Sequence, residues 1–501
     1  MKDRQKKFRL DLSILLIFVL GSHMLGQSSP PRKTFDLPNG AAAIPAGPFE
    51  PTWESIKQNY KMPQWFVDAK FGIMMHWGIY SVPAKQSEWY GTHMYNNADI
   101  AKWHREKFGA QDKFGYKDFV PMFTAEKFEP DAWAELFRRS GAKYVVPTAE
   151  HHDGFALWDS KLTRWDAKDM GPKRDLIGDL AKAVRKKGLR FGVSNHRMEN
   201  WSFMYPKDLK NAGDLFDPEY ADFYGPPQPL KPGEDHMSGA GAPQSKQFLE
   251  EWLARNQELI DNYRPDLLWF DNGINDRGLD PIKLRLAAYY YNSARKWKKD
   301  VSLSTKGDAY LYGTIKDFER QSRAPKEITD FVWEVDDPVL YRFGFTEGSP
   351  IVDAKTVINR LIENTSKNGG LMLNISPKSD GTIPFNQQFL LLQIGKWLDT
   401  NGEGIYGTHA WKKWTEGEKD EQVYRFTVKK DVLYVFGLKW PSGMARINSL
   451  VAGAGAVQSV ELLGHKEKLT FTQDGNGLSV SLPNVAHDDL PYVLKIKGLR
   501  L

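Results

Sequence analysis

The feature that most narrows the choice of fold is the segment Pro265-Asp266-Leu267-Leu268-Trp269-Phe270-Asp271-Asn272-Gly273. An apolar run stops on a carboxylate and passes straight into two turn-forming residues. A run this short, bounded by turn signals, reads as a fully buried strand of a parallel sheet. The acid then stands where strand meets loop, at the edge of a core. Barrel enzymes keep their chemistry at that edge, on the carboxyl ends of the strands. An isolated Asp here reads more simply as the N-cap of the next turn. Asp271 becomes a candidate reacting group because other strand ends carry His, Glu and Trp.

The strand that opens at Phe71 leads into His76-Trp77-Gly78, and Glu88-Trp89-Tyr90 lies in the loop beyond. Residues 143–148 run into Glu150-His151-His152-Asp153-Gly154-Phe155, and residues 189–194 into a loop bearing His196. Shorter strands are predicted at 301–304, 331–335 and 371–375. Helical periodicity is read at 131–140, 174–187, 245–263, 281–298, 354–367 and 385–401. This alternation is the pattern of a parallel α/β domain. Polar and aromatic residues at successive strand ends favour a TIM-type (β/α)8-like barrel, since closure gathers those ends around one mouth. The long Pro- and Gly-containing segment 202–243 reads as a lid or a disordered insertion. No Gly-x-Gly-x-x-Gly or Walker-type phosphate loop occurs, which argues against nucleotide use.

Past Thr408 the pattern changes to short alternating segments separated by turns such as Asp474-Gly475-Asn476-Gly477, as in an all-β sandwich. At the other end, Lys2, Arg4, Lys6, Lys7 and Arg9 precede an apolar stretch from Leu12 to Leu20. That stretch is too short to span a bilayer comfortably and reads as a cleaved secretory signal. The expected organisation is a signal over 1–27, a linker or arm over 28–50, a catalytic barrel over 51–408 and a β-sandwich over 409–501. With no Cys in the chain, thiolate metal sites, disulfides, a Cys nucleophile and a lipid-anchored export route are all excluded. The expectation is therefore a periplasmic or secreted protein without membrane insertion after signal cleavage. The formal charge of +5 is dispersed rather than gathered into a basic stripe, so nucleic acid is not an expected partner.

Two carboxyl groups flanking a bond are the minimum for glycoside hydrolysis. Asp271 supplies one, and Glu319 or, alternatively, Glu334 supplies the other. Seventeen Trp residues suit a cleft for sugar rings, whose C–H faces pack on indole. His151 and His152 are adjacent, and on an extended segment their rings would point to opposite faces, so no metal centre is predicted. No Gly-x-Ser-x-Gly elbow supports a serine triad. His196 and Trp333 join the candidate substrate contacts, while His93 and His104 read as ordinary loop or helix-face residues.

The joint occurrence of several motifs carries a resemblance. Lys70-Phe71-Gly72 through His76-Trp77-Gly78 to Tyr80-Ser81-Val82-Pro83-Ala84 and Glu88-Trp89-Tyr90 resembles the opening signature of the retaining α-L-fucosidases of glycoside hydrolase family 29. Ala142-Lys143-Tyr144 through His151-His152-Asp153-Gly154-Phe155 to Trp158-Asp159-Ser160 resembles the second signature, and Trp269-Phe270-Asp271 the nucleophile strand. Asn368-Gly369-Gly370 through Asn374-Ile375-Ser376-Pro377 to Asn401-Gly402-Glu403-Gly404 resembles the end of the catalytic domain.

The resemblance implies a barrel followed by a β-sandwich, and exo-acting cleavage of fucosylated oligosaccharides or glycoconjugates without a cofactor. Asp271 would be the nucleophile and Glu319 the acid/base. His76, Glu88, Trp89, His151 and His152 would hold the fucose hydroxyls, with Trp269 packed against the ring. The alternatives are a related sugar such as an α-L-galactoside, or a sugar-binding protein without turnover. The chain departs from the family pattern at 194–201, where many members carry a Tyr and a Glu-Trp pair, and at Asn272, where Gly is usual.

Overall fold

The structure, a computed structural model, describes residues 40–225, 227–230, 233, 243–417, 422–484 and 488–501. The segment expected to be a signal, residues 1–27, lies outside the described residues, as does most of 226–242. Eight strands close into a barrel: β1 Phe71–Met75, β2 Tyr144–Glu150, β3 Arg190–Asn195, β4 Leu267–Phe270, β5 Ser302–Lys306, β6 Thr314–Asp317, β7 Trp333–Pro338 and β8 Gly369–Ile375. Every neighbouring pair is parallel, and β8 returns to β1 with Gly72 opposite Met372. Nearly all strand residues are buried, because interior packing covers one face and helices or loops the other.

Inside the barrel, Met74, Tyr144, Val146, Leu267, Trp269, Ile315 and Met372 form one apolar cluster. Gly72 is required there, since a Cβ would lie 2.2 Å from the Tyr144 ring. The short helix Gln64–Ala69 places Phe66 against Tyr144 at 5.6 Å and plugs the amino end of the barrel. The barrel is therefore closed below and open only at the carboxyl ends of its strands. Helices Pro130–Arg139, Leu176–Lys186, Lys246–Tyr263, Asp280–Trp297, Ala354–Thr365 and Phe385–Asn401 pack outside, within a residue or two of the predicted positions.

One strand departs from the sequence reading. No strand is predicted at 314–317, and no α-helix stands between β5 and β6 or between β6 and β7. A strand of alternating Thr-Ile-Lys-Asp without a helix on either side lacks both the apolar run and the flanking period that identified the others.

Trp333 and Glu334, both weighed as site residues, need correction. They are the first two residues of β7, which puts them at the amino end of the barrel, away from the mouth. Trp333 is fully buried and its Nε1 donates to Thr329 Oγ1 at 2.9 Å and the Lys367 carbonyl at 3.2 Å. Glu334 sits inside the barrel with the Tyr144 and Ser304 hydroxyls 2.7 and 2.6 Å from its oxygens. Burial pushes its carboxyl up to about 7.

Residues 40–50 form an arm over the outer helices. The Ala42 amide donates to Gln257 Oε1 at 2.7 Å, and Asn292 Nδ2 donates to the Pro45 and Phe49 carbonyls at 2.9 Å each. At the carboxyl end, β9 His409–Glu416, β10 Tyr424–Lys429, β11 Val432–Gly437, β12 Met444–Ile447, β13 Ser459–Leu462, β14 Phe471–Asp474, β15 Gly477–Ser481 and β16 Tyr492–Lys497 make two antiparallel sheets. Their orders are β13-β16-β11-β10-β9 and β12-β15-β14, with an apolar core of their own. Trp397 of helix Phe385–Asn401 donates to the Pro491 carbonyl at 2.7 Å, fastening this unit to the barrel. No helix among the described residues is long and apolar enough to cross a membrane.

Two expectations follow from the packing. Gly395 abuts the end of helix Pro130–Arg139 so closely that a Cβ would lie 1.8 Å from the Arg139 carbonyl oxygen. Gly395→Ala is expected to cost about 1–3 kcal/mol or more, measured by chemical denaturation. Glu334 holds a proton in the folded chain between its usual value of 4.5 and about 7. The stability that it contributes is fully present below about 4.5 and is lost as the pH rises through about 7. Glu334→Gln, which keeps a partner for each hydroxyl, is expected to flatten the fall in melting temperature between pH 5 and 8.

Candidate active site

The barrel mouth opens into a cavity of ≈ 440 Å³ to which nearly every strand contributes at or just beyond its carboxyl end. His76 follows β1, His151 and His152 follow β2, and Glu199 stands in the loop after β3. Trp269 and Asp271 come from β4 and its end, Lys306 closes β5, Glu319 follows β6, and Asp336 lies on β7. Glu88 and Trp89, from the long β1–β2 connection, complete the wall. Of the residues singled out in the sequence, His76, Glu88, Trp89, His151, His152, Trp269, Asp271 and Glu319 therefore meet in one cavity. His196 stands behind Asp271, and Trp333 and Glu334 do not reach the lining.

Asp271 caps the short turn Asn272–Ile274, accepting the Asn272 amide on Oδ1 at 2.9 Å. Its other oxygen, Oδ2, lies 3.1 Å from His196 Nδ1 and 3.7 Å from His152 Nε2. Lys306 Nζ is 3.8 Å from Oδ1. Burial would raise the carboxyl, but Lys306, then His196 and His152, outweigh it and hold Asp271 well below the usual range. One oxygen thus caps the turn, and the other faces the imidazoles of His196 and His152.

Lys306 is the hub of the acidic side. Only 5% exposed, its ammonium donates to both Asp336 oxygens at 3.1 Å and lies 3.3 Å from Glu319 Oε2 and 3.8 Å from Asp317 Oδ1. Burial works against the charge, yet these carboxylates more than offset it and hold the ammonium above its usual range. Asp317, at the end of β6, is pushed up to about 7 by burial, with Lys306 opposing. Asp271 and Glu319 both approach within 4 Å of Lys306 Nζ. Their separation cannot exceed the sum of those two contacts. That limit admits the roughly 5–5.5 Å of retaining carboxyl pairs and excludes most of the wider ~6.5–9.5 Å range of inverting ones.

The opposite wall is imidazole. His76 and His151 are buried and held neutral by desolvation first and by neighbouring imidazoles second. His76 Nδ1 lies 2.7 Å from Asn374 Oδ1, which fixes the ring. The rings of His151 and His152 are 4.2 Å apart and both line the cavity, contrary to the expectation from an extended segment. The strand ends at Glu150, and a turn closed by the Gly154 amide donating to the His151 carbonyl brings both rings to one side. Two sets of ligand atoms, from His76, His151 and His196 and from His152, His196 and Asp271, lie within 4.8 Å of one another. Imidazole and carboxylate donors at that spacing suit a Zn²⁺-like ion, and the neutral imidazoles of His76 and His151 equally suit sugar hydroxyls.

Two further carboxyls line the cavity. Glu199 accepts the Gly273 amide at 3.0 Å, and burial followed by the charge of Asp271 holds its carboxyl well above the usual range. Gly273 permits this approach, since a Cβ would lie 2.5 Å from Glu199 Cγ. Glu88 accepts the Phe343 and Gly344 amides at 3.1 and 2.9 Å; burial raises it and the Gly344 bond partly compensates. His93 also lines the cavity rather than being an ordinary helix-face residue, whereas His104 is a core residue held by Tyr90 and Phe114.

Comparison with known proteins bears on the whole chain. Residues 38–403 match the family model described as alpha-L-fucosidase, and residues 418–497 match that of the alpha-L-fucosidase C-terminal domain. Tissue alpha-L-fucosidase of Bos taurus is 31% identical over 523 residues, covering 98% of each chain. That of Rattus norvegicus is 32% identical over 460 residues, covering 88% of this chain and 90% of the rat protein. Among solved structures, Thermotoga maritima alpha-fucosidase in complex with fucose superposes with a TM-score of 0.74 at 32% identity, covering 89% of this chain and 99% of that one.

Proposed function

The chain belongs to the α-L-fucosidases of glycoside hydrolase family 29, and on that premise we propose that it removes terminal α-L-fucose by double displacement with retention. The observation that carries the mechanism is the pair Asp271 and Glu319 gripping one buried ammonium. In the first step an Asp271 oxygen attacks the anomeric carbon while the glycosidic C–O bond breaks. Glu319 passes its proton to the departing oxygen, leaving a fucosyl ester on Asp271. In the second step water attacks the same carbon, gives a proton to Glu319, and Asp271 leaves as a carboxylate. An aspartate held ionised by Lys306 and His196 is ready to attack without first losing a proton.

His76, Glu88, Trp89, His151 and His152 would receive the sugar hydroxyls, with Trp269 at the cavity floor. A neutral imidazole offers one donor and one acceptor, which matches a hydroxyl in either sense. The plugged barrel supports exo action, because a chain can enter only by its end. The Thermotoga relative was crystallised with fucose, which supports the same occupant here. The basic and apolar amino terminus supports export to the periplasm or the medium.

Replacing Asp271 with Gly is expected to lower kcat on an aryl α-L-fucoside by about 10³-fold or more, with azide restoring turnover as the β-L-fucosyl azide. Glu319→Gly is expected to lose about 10²–10⁴-fold on substrates with poor leaving groups. There azide should yield the α-azide, because the fucosyl-enzyme still forms. An α-azide from the Asp271 variant, or no rescue at Glu319 with rescue at Glu199→Gly, would reassign the roles.

Lys306→Met tests the electrostatics. Without the ammonium the Asp271 carboxyl rises, so less of it is ionised in acid. The acidic limb of kcat/KM is expected to move to higher pH; an unmoved limb would show that Lys306 does not set the charge of Asp271.

A further inference from the structure

Two loops at the mouth, residues 318–323 after β6 and 339–343 after β7, bring Arg320, Arg323 and Arg342 to one side of the cavity. We propose that this rim binds an anionic substituent, a sulfate ester or a uronate carboxylate, on the sugar from which fucose is released. The inference rests on the fucosidase reading above and names its substrate class.

The first argument is the local charge balance. Arg323 Nη1 lies 3.7 Å and Arg320 Nε 3.9 Å from Glu319, whose nearer partner is Lys306. Two rim guanidinium groups thus share a carboxylate that Lys306 also contacts. Among the described residues Arg342 makes no hydrogen bond or ion pair; its guanidinium stacks on the exposed Tyr341 ring at 4.9 Å. Its charge reaches the groups around it. His93 is pushed down to about 4, by burial first and then by Arg342 and Lys207.

The second argument is that the rim is built. Arg320 is a non-glycine residue at φ +64°, a conformation L residues rarely adopt. Its amide donates to the Asp336 carbonyl at 2.9 Å, and both its terminal nitrogens donate to the Tyr341 carbonyl at 3.2 Å. Those bonds tie the two loops together and fix the backbone just before Arg342. The strained backbone at Arg320 is thereby held by the segment around β7 and its following loop.

The third argument is location. Glu319, as proton donor, faces the glycosidic oxygen, so arginines touching it flank the leaving group. The buried end of the cavity already sets Asp271 and Asp336 against the single ammonium of Lys306, so an anion there finds no unshared cation. An anion therefore fits at the rim and not on the buried fucose. Guanidinium forks match the paired oxygens of carboxylates and sulfates, and charge-assisted bonds of this kind are worth about a tenfold change in affinity or more.

The test compares kcat/KM on three fucosyl disaccharides that differ only in the released sugar: neutral, sulfated or carrying a uronate. The wild type is expected to prefer at least one anionic form by about tenfold at low ionic strength, with the preference shrinking as salt rises. Which form is favoured separates sulfate from carboxylate. Arg342→Gln and Arg323→Gln are expected to bring the ratio of anionic to neutral rates towards one. The same three compounds titrated into Asp271→Asn by calorimetry report the preference without turnover. No preference in either assay, or a ratio unchanged in both arginine variants, overturns the proposal. Absence of hydrolysis with the binding preference intact would overturn the catalytic reading alone.

Discussion

A single ammonium, buried where β5 meets the barrel mouth, decides the state of the acidic side of the site. Lys306 could not stay charged in a dry interior by itself, and Asp271, Asp336 and Glu319 could not crowd together without it. The cost of dehydrating each is offset only by the others. Removing the ammonium would leave several buried carboxyl groups without a counter-charge. The arrangement therefore fixes more than a pKa. It also ties the loop after β6 to β7, because Glu319 and Asp336 converge on one nitrogen. On the opposite wall His76 and His151 are held neutral, so the cavity is polar in two different ways, ionic around Lys306 and uncharged around those two rings.

Much of this was legible in the chain. Apolar runs ending in turn residues located β1 to β4, and helical periodicity located six outer helices, because both signals arise from burial on a fixed period. The polar residues at the strand ends pointed to the mouth, and Asp271, His76, His151, His152 and Glu319 do share it. The misses have physical causes. Lys306 was overlooked because its strand, Ser302–Lys306, was read as ending at Ser304, which hid that the lysine completes a core strand. A Lys surrounded by Ser and Thr carries the appearance of a surface residue until its four acidic partners, distant in sequence, are brought to it. Trp333 and Glu334 were misplaced because periodicity identifies a strand without saying which of its ends faces the mouth. The ends are told apart by chain direction, and both residues stand at the start of β7. The turn that unites the rings of His151 and His152 depends on Gly154, which composition alone cannot orient.

Separation of duties along the barrel axis is also visible. The amino end carries Phe66 and Tyr144, large rings that seal the interior, with Glu334 buried among hydroxyls. The carboxyl end carries the ionised and strained groups. Glycine is used at both ends for the same reason, close approach, with Gly72 making room for the Tyr144 ring and Gly273 for Glu199.

The outer layer of the barrel is not uniform, since two consecutive crossings, from β5 to β6 and from β6 to β7, are made by loops with no α-helix to anchor them. A loop that owes little to a packed helix can lengthen, shorten or change its side chains without disturbing the core. The second of those crossings is also the one that bears Glu319 and Arg320. The scaffold thus leaves one sector free to diverge by insertion or deletion while the remainder stays bound by its packing. Enzymes built on this plan can inherit an invariant pocket for one sugar and acquire new neighbours for it by drift in that sector alone.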